Sequence, residues 1–345
     1  MRFDFVAWLG GVATVAMLAS GVAAPAHAGQ VLDKVRAAGK LACGVIAEVP
    51  EFNKDDLHGG LSDLGREICK AVAVAVFGDK AKMEATAFQA EQLGLQALAA
   101  GKVDLLVGVT PTATNRALHG VSFGPPIFFD AQGFIVEKSS GIASIKDLAG
   151  RKLCFIDGTD YQPALDPVMK ARGIAYIPFP FQEEGEMDAA LVVGHCDAVT
   201  AELSKLAEKR STFQARAANF VFLPEMLTLD PVVPAFREGD EAWAGIVDWT
   251  VFALVQAEAS GVTQQSIGTM IGSDDLAVQR LLGKDVAAAR ALGLPPEWAA
   301  HVIAVVGNYG EIYARAAGAN SALNLPRGFN ALWMQGGLMY PLPVR

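Results

Sequence analysis

The sequence predicts an α/β protein built as two lobes. Three observations carry that expectation. Short β-like runs alternate with helical patterns from residue 41, and the alternation restarts at residue 145. Of 345 residues, 317 remain once a 28-residue leader is set aside, more than one compact core usually organises.

The leader comes first. Arg2, an apolar run over 5–24 and the ending Ala26-His27-Ala28 form a secretion signal, with cleavage expected after Ala28 and release into the periplasm. Asp4 is unusual in such a segment, and an uncleaved anchor is the competing reading. The first cysteine is Cys43, so the processed chain carries no residue at the boundary for an N-terminal lipid. No later stretch reaches the ~20 continuous apolar residues of a membrane-spanning helix.

Beyond the leader, 41–46 reads as a strand, and Leu64, Ile68 and Val72 mark one face of a helix. Residues 82–88 alternate as a strand, 91–100 are helical up to Gly101, and 103–107 form an apolar strand. The second series opens at Ile145-Lys146-Asp147-Leu148-Ala149-Gly150. It runs through strand 152–156, a Gly158-Thr159 turn, a helix to Arg172, strand 174–178, helix 184–193, strand 197–200, helix 201–209 and strand 220–223. From Pro231 the pattern turns helical over 243–258, 276–282, 296–317 and 328–333. Such alternation points to parallel sheets. There is no fixed-period repeat and no low-complexity linker, so the motion expected is hinge motion between lobes.

The chemistry is bounded next. Lys and Arg number 28 against 37 Asp and Glu, a net charge of −9, which argues against phosphate backbones or anionic lipid as partners. No nucleic-acid partner is expected. Cys43, Cys69, Cys154 and Cys196 belong to a chain bound for an oxidising compartment and imply two disulfides, whose pairing the residues alone leave open. No C-x-x-C or H-x-x-x-H pair occurs, so no metal site or cofactor is expected. Gly120-Val121-Ser122-Phe123-Gly124 spells a hydrolase elbow, but Pro125 and Pro126 stand where its helix must begin, so the match is fortuitous.

Several segments, in order, carry a resemblance: Gly39-Lys40-Leu41-Ala42-Cys43-Gly44-Val45, Ala71-Val72-Ala73-Val74-Ala75-Val76-Phe77-Gly78-Asp79, Leu98-Ala99-Ala100-Gly101-Lys102-Val103-Asp104 and the run from Ser144 to Gly150. In the tail, Val306-Gly307-Asn308-Tyr309-Gly310-Glu311-Ile312, Arg327-Gly328-Phe329-Asn330-Ala331-Leu332-Trp333 and Gly336-Gly337-Leu338-Met339-Tyr340 add the most discriminating matches. Over nearly all of the mature chain the sequence resembles the family 3 extracellular solute-binding proteins, within them the general L-amino-acid-binding proteins of ABC transporters. The resemblance implies a type II-like periplasmic-binding-protein fold with two crossovers, near 134–138 and 229–235, and a ligand cleft between lobes that close like a clamp. Lobe one is expected over 29–136 and 230–345, lobe two over 137–229. The tail is expected to pack against lobe one, its Trp and Tyr residues in the core. The cysteine pairs expected are Cys43–Cys69 and Cys154–Cys196. The expected partners are a small solute, an amino acid by type, and the permease subunits of a transporter, with the receptor itself a monomer.

An amino-acid zwitterion entering a closed cleft needs a partner for each charge. Matched from Asp104, Arg116 falls on the family's arginine, whose planar fork suits a carboxylate. Phe52 aligns with an aromatic flanking the ligand, core being its alternative. Gly158-Thr159 opens a helix whose free N–H groups can seat a carboxylate, making Thr159 a second contact. The family's ammonium-binding aspartate falls on Glu202.

Three ligand positions depart from the family pattern. Ala113 replaces a threonine, with Thr112 or Thr114 as the nearest substitutes. Asp160 stands where a second Thr or Ser usually follows, either facing the ligand or capping the helix. Glu202 is one methylene longer than aspartate. Extra acid in the cleft favours a cationic solute over glutamate or aspartate. Asp63-Leu64-Gly65-Arg66-Glu67 also departs from the usual run before the first helix. Two other functions stay open: a cyclohexadienyl-type dehydratase on the same fold, using Glu202 and Asp160 for acid–base work, and a sensor or accessory receptor.

Overall fold

A computed structural model describes residues 29–47, 61–78, 82–284 and 286–344. The expected leader and Phe52 lie outside the described residues. The first half holds helices α1 (Gln30–Ala38), α2 (Leu61–Phe77), α3 (Glu91–Ala99) and α4 (Ala113–His119) with strands β1 (Leu41–Ile46), β2 (Met83–Phe88), β3 (Leu105–Val109), β4 (Val121–Phe123) and β5 (Phe128–Asp130). Then follow β6 (Gln132–Glu137), β7 (Lys152–Ile156), β8 (Ile177–Phe181), β9 (Ala198–Glu202) and β10 (Phe220–Phe222), interleaved with α5 (Tyr161–Ala171), α6 (Glu184–Val192) and α7 (Leu203–Thr212). The chain returns through β11 (Asp230–Arg237) to a helical end: α8 (Glu241–Ala259), α9 (Ile267–Met270), α10 (Leu276–Leu281), α11 (Val286–Ala291), α12 (Trp298–Val306) and α13 (Tyr309–Ala316).

Two sheets result. One has the order β2-β1-β3-β11-β4, with β5 also paired to β11; the other has the order β10-β6-β9-β7-β8. β1, β2 and β3 run parallel, as do β7, β8 and β9, while β11 and β6 run against them. The central strands β1, β3 and β7 read as nearly unbroken apolar runs because the middle of a parallel sheet is covered on both faces, whereas the edge strand β2 alternates. In the second sheet, Ile135, Phe155 and Val199 face one buried cluster, and Phe134, Leu153 and Ala198 the other. Pro178 and Pro180 sit in β8, the edge strand, where a missing N–H is tolerated. The first sheet's core is larger, joining Cys43, Val45, Ile68 and Val72 to the carboxyl-terminal helices through Trp243, Tyr309 and Tyr313. Trp243 also donates its indole N–H to the Asp104 carbonyl at 3.0 Å.

Both expected disulfides are present. Cys43–Cys69 fastens β1 to α2, and Cys154–Cys196 fastens β7 to the turn before β9, with Cα atoms 6.1 and 5.9 Å apart.

Several expectations are corrected. The chain passes from β5 in the first sheet to β6 in the second across Ala131 alone, so the crossover lies at 130–132 rather than 134–138, and residues 132–136, assigned by sequence to lobe one, pair in the second sheet. The helix expected over 296–317 is two, because Gly307 takes φ 81°, a conformation costly to other residues, and Asn308 starts α13 with a reciprocal capping box to Glu311. The segment 328–333 forms 3₁₀ turns instead of an α-helix. The strand expected at 174–178 begins at Ile177, since Gly173 closes α5 and Ile174 is buried beneath it. Trp333 and Tyr340, expected in the core, meet at a tilt with ring centroids 6.0 Å apart and have 54% and 57% of their surface exposed. The tail does hold lobe one, through Asn330, whose amide exchanges hydrogen bonds of 2.7 and 3.0 Å with the backbone of Phe129.

Candidate functional site

In parallel sheets ligands sit outside the carboxyl ends of the strands, where loops and helix starts converge. In the second sheet that edge carries Thr159, Asp160, Tyr161 and Glu202. Glu202 ends β9, partly exposed, and accepts a hydrogen bond from the Tyr161 hydroxyl; Lys205 lies one turn on, its Nζ 3.9 Å from the carboxylate. Thr159 donates to the Ile156 carbonyl at 2.7 Å and accepts weakly from the Tyr161 N–H at 3.4 Å, fixing the turn between β7 and α5. Asp160 occupies the N-cap position of α5, but its carboxylate accepts no bond from the first turn. The capping role considered for it is therefore corrected: with a near-helical φ of −77° and ψ of 2°, the residue lacks the extended backbone with which a cap side chain reaches N2 or N3. Thr159, Asp160 and Glu202 share the edge, and Tyr161, which the sequence reading missed, links two of its elements. Its only sequence signal is its place directly after Gly158-Thr159-Asp160.

At the carboxyl edge of the first sheet, Thr112 caps α4 by accepting from the Asn115 N–H at 3.0 Å. The buried Asn115 amide donates to Glu91 at 2.5 Å and to the Thr110 carbonyl at 3.1 Å, and its oxygen accepts from Gln92 at 3.2 Å. Glu91 also takes the Thr110 N–H at 2.8 Å. Thr110 follows β3 and Glu91 begins the helix after β2, so this cluster belongs to the ligand edge.

Arg116 does not. It pairs with Glu238 at 2.7 Å, both side chains about half exposed. Glu238 follows the last residue of β11, which runs against β3, so it lies at the opposite, amino edge of the parallel strands. The expectation for Arg116 is corrected by helix geometry: successive residues on α4 stand about 100° apart, so Asn115 and Arg116 cannot face the same way. Ala113 and Thr114 are exposed on the same short helix.

Between the sheets, Asp130 is 6% exposed and accepts hydrogen bonds from the Ser204 hydroxyl and N–H and from the Ala131 N–H. Burial, opposed by those bonds, pushes its carboxyl up to about 6. Gln132 is 3% exposed and donates to the Tyr161 carbonyl and the Thr200 hydroxyl at 2.9 and 3.0 Å. Neither residue carries a motif. Among the described residues no group of three His, Cys, Asp or Glu could hold a metal ion, and no helix is long and apolar enough to cross a membrane. A surface groove is lined by Pro125, Pro126, Phe129, Val255, Leu338 and Tyr340.

Comparison with known proteins adds a second line. Residues 83–226 match the family model described as NMT1/THI5 like. The chain is 38% identical to the general L-amino acid-binding periplasmic protein of Rhizobium johnstonii, over 94% of this chain and 95% of that one. It is 36% identical to the glutamate/glutamine/aspartate/asparagine-binding protein of Rhodobacter capsulatus, over 98% and 99%. A solved periplasmic binding protein of an ABC transporter from Brucella ovis, with glutathione bound, superposes with a TM-score of 0.75 at 36% identity, covering 91% of this chain and 99% of that one.

Proposed function

The chain belongs to the amino-acid-binding periplasmic proteins of ABC transporters, and we propose that it captures an amino acid or a related small solute at the carboxyl edges of its two sheets and delivers it to a permease. The observation that carries this reading is the pairing, on one edge, of the Glu202 carboxylate with a start of α5 that Asp160 leaves uncapped. The first suits an ammonium group, the second a carboxylate. Thr159, Asp160, Glu202 and Tyr161 supply the lobe-two contacts, and Thr112 and Asn115 those of lobe one. Arg116, turned to the far edge, takes no part.

Lobe one comprises 29–131 and 230–345 and lobe two begins at Gln132. The leader is cleaved after Ala28, and the mature receptor works as a monomer. With Glu91, Asp160 and Glu202 at the edges and no arginine among the contacts named, the site favours a solute with surplus positive charge over glutamate or aspartate. The named relatives are binding proteins, which favours capture over the dehydratase reading.

The test is thermal-shift screening of the mature chain against the L-amino acids, glutathione, polyamines and prephenate. A solute at 100 times its Kd stabilises the folded state by about 2.7 kcal/mol. A rise with amino acids or their derivatives supports the reading. No shift with any of them, together with consumption of prephenate, overturns it, and tight glutamate binding without response to arginine overturns the charge preference.

A further inference from the structure

Helix α7 starts without help from its own cap. Glu202 occupies the N-cap position but makes no side-chain bond to the first turn. Its place is taken by the crossover: the Ala131 carbonyl accepts from the Leu203 N–H at 2.8 Å, and the Asp130 carboxylate from the Ser204 N–H at 3.2 Å and from the Ser204 hydroxyl. An N-cap carboxylate normally spends its oxygens on the N2 or N3 amide. Here Asp130 does this from a strand of the other sheet, and Glu202 keeps its oxygens for the Tyr161 hydroxyl and the open edge.

The opposite end of the same crossover holds the other site helix. Gln132 donates to the carbonyl of Tyr161, the first residue of α5, and to the Thr200 hydroxyl, which donates in turn to the Gly133 carbonyl at 2.8 Å. The return crossover is tied in as well: the Gln132 N–H donates to the Thr228 hydroxyl at 2.9 Å, and that hydroxyl to Asp230 at 2.5 Å. Asp130, Gln132, Thr200 and Ser204 are all nearly or fully buried, so water offers no substitute for these bonds.

We propose that Asp130 and Gln132, on either side of Ala131, are the positioning residues of the ligand site: Asp130 fastens the amino end of α7 and Gln132 that of α5, so that Glu202 and Tyr161 move with the hinge as one unit. This rests on the reading of that edge as the ligand site.

The experiment compares Asp130→Ala, Asp130→Asn and Gln132→Leu in the mature chain. Hydrogen exchange at the Leu203 and Ser204 amides needs no solute. Asp130→Ala is expected to speed exchange there at least tenfold beyond the change seen across β7, while Asp130→Asn, which keeps an acceptor oxygen, restores it to within about threefold. Calorimetric titration with L-glutamine, L-arginine and glutathione reads the site, and tenfold or greater weakening is expected for Asp130→Ala and for Gln132→Leu, with recovery in Asp130→Asn. Unchanged exchange at Ser204 in Asp130→Ala overturns the proposal, as does faster exchange with unchanged affinity. If none of the three solutes binds the unaltered protein, the ligand reading fails while the exchange result still decides whether the crossover fastens α7.

Discussion

Replacing Glu202 with Gln removes one negative charge and leaves the side-chain volume nearly unchanged. In the ligand-free protein the cost is small. The carboxylate is a third exposed, Lys205 is 3.9 Å away, and such surface pairs contribute about 0.2–1 kcal/mol. The Tyr161 hydroxyl can still donate to the amide oxygen. Once a solute's ammonium group is enclosed against Glu202, water no longer screens the pair, and truncating one partner of a buried charge pair costs about 2–5 kcal/mol. That corresponds to about 30- to 5,000-fold in Kd. Isothermal titration with the solute that most raises the melting temperature reads this directly, and urea unfolding of the free protein checks that stability is kept. Arg116→Ala is the control: its exposed pair with Glu238 predicts an affinity within about twofold of the unaltered protein and less than about 1 kcal/mol of lost stability. Glu202→Gln binding normally while Arg116→Ala loses tenfold would refute the assignment of both residues.

Removing the Cys154–Cys196 bridge by a double substitution to Ser releases a loop spanning 42 residues, worth about 4 kcal/mol in the chain-entropy estimate, and urea unfolding should show a loss of that order. Gly307→Ala places a methyl 2.7 Å from Glu311 at a φ of 81°, disturbing the capping box of α13; a loss of about 1–3 kcal/mol is expected in the same assay, and an unchanged midpoint would contradict the strain argument. Asp130 and Asp248 both have carboxyls pushed up to about 6, chiefly by burial, with Glu241 a further cause at Asp248. Because the folded state then holds protons that the unfolded chain releases near pH 4, stability falls as pH rises from about 4 to about 6 and stays low above it. Asp248→Asn should flatten part of that slope and stabilise the protein at pH 8 by on the order of 1 kcal/mol, after discounting for the group's partial exposure; a steeper slope in melting temperature against pH would contradict it.

The central strands of both sheets were legible because consecutive residues, Leu105, Leu106 and Val107 or Leu153, Cys154 and Phe155, are apolar and so cover both faces, as in buried parallel strands. Helix α2 announced itself through Leu64, Ile68 and Val72. Helix α4 did not, since its seven residues bury only Asn115 and expose Leu118, which leaves no apolar stripe to read. Without that helix, the difference between Asn115 and Arg116 was one step along a loop rather than a turn of about 100°. The break at Gly307 was hidden for the opposite reason: apolar periodicity continues across it from Val306 to Ile312. Glu202 came into view through the family resemblance and Thr159 through the Gly158-Thr159 turn, and each lies at or just beyond the end of a strand that the sequence shows. Asp130, Gln132 and Tyr161 could not, because their roles come from a crossover that joins residues 29 to 74 positions apart in the chain.

The most direct measurement of the central claim is a crystal structure of the mature protein grown with the solute that most stabilises it. The account predicts that solute enclosed at the carboxyl edges, its ammonium group within hydrogen-bond reach of Glu202, with Tyr161 beside it and Arg116 still paired to Glu238. Density in the groove between Pro126 and Tyr340 instead, with Glu202 facing water, would contradict it.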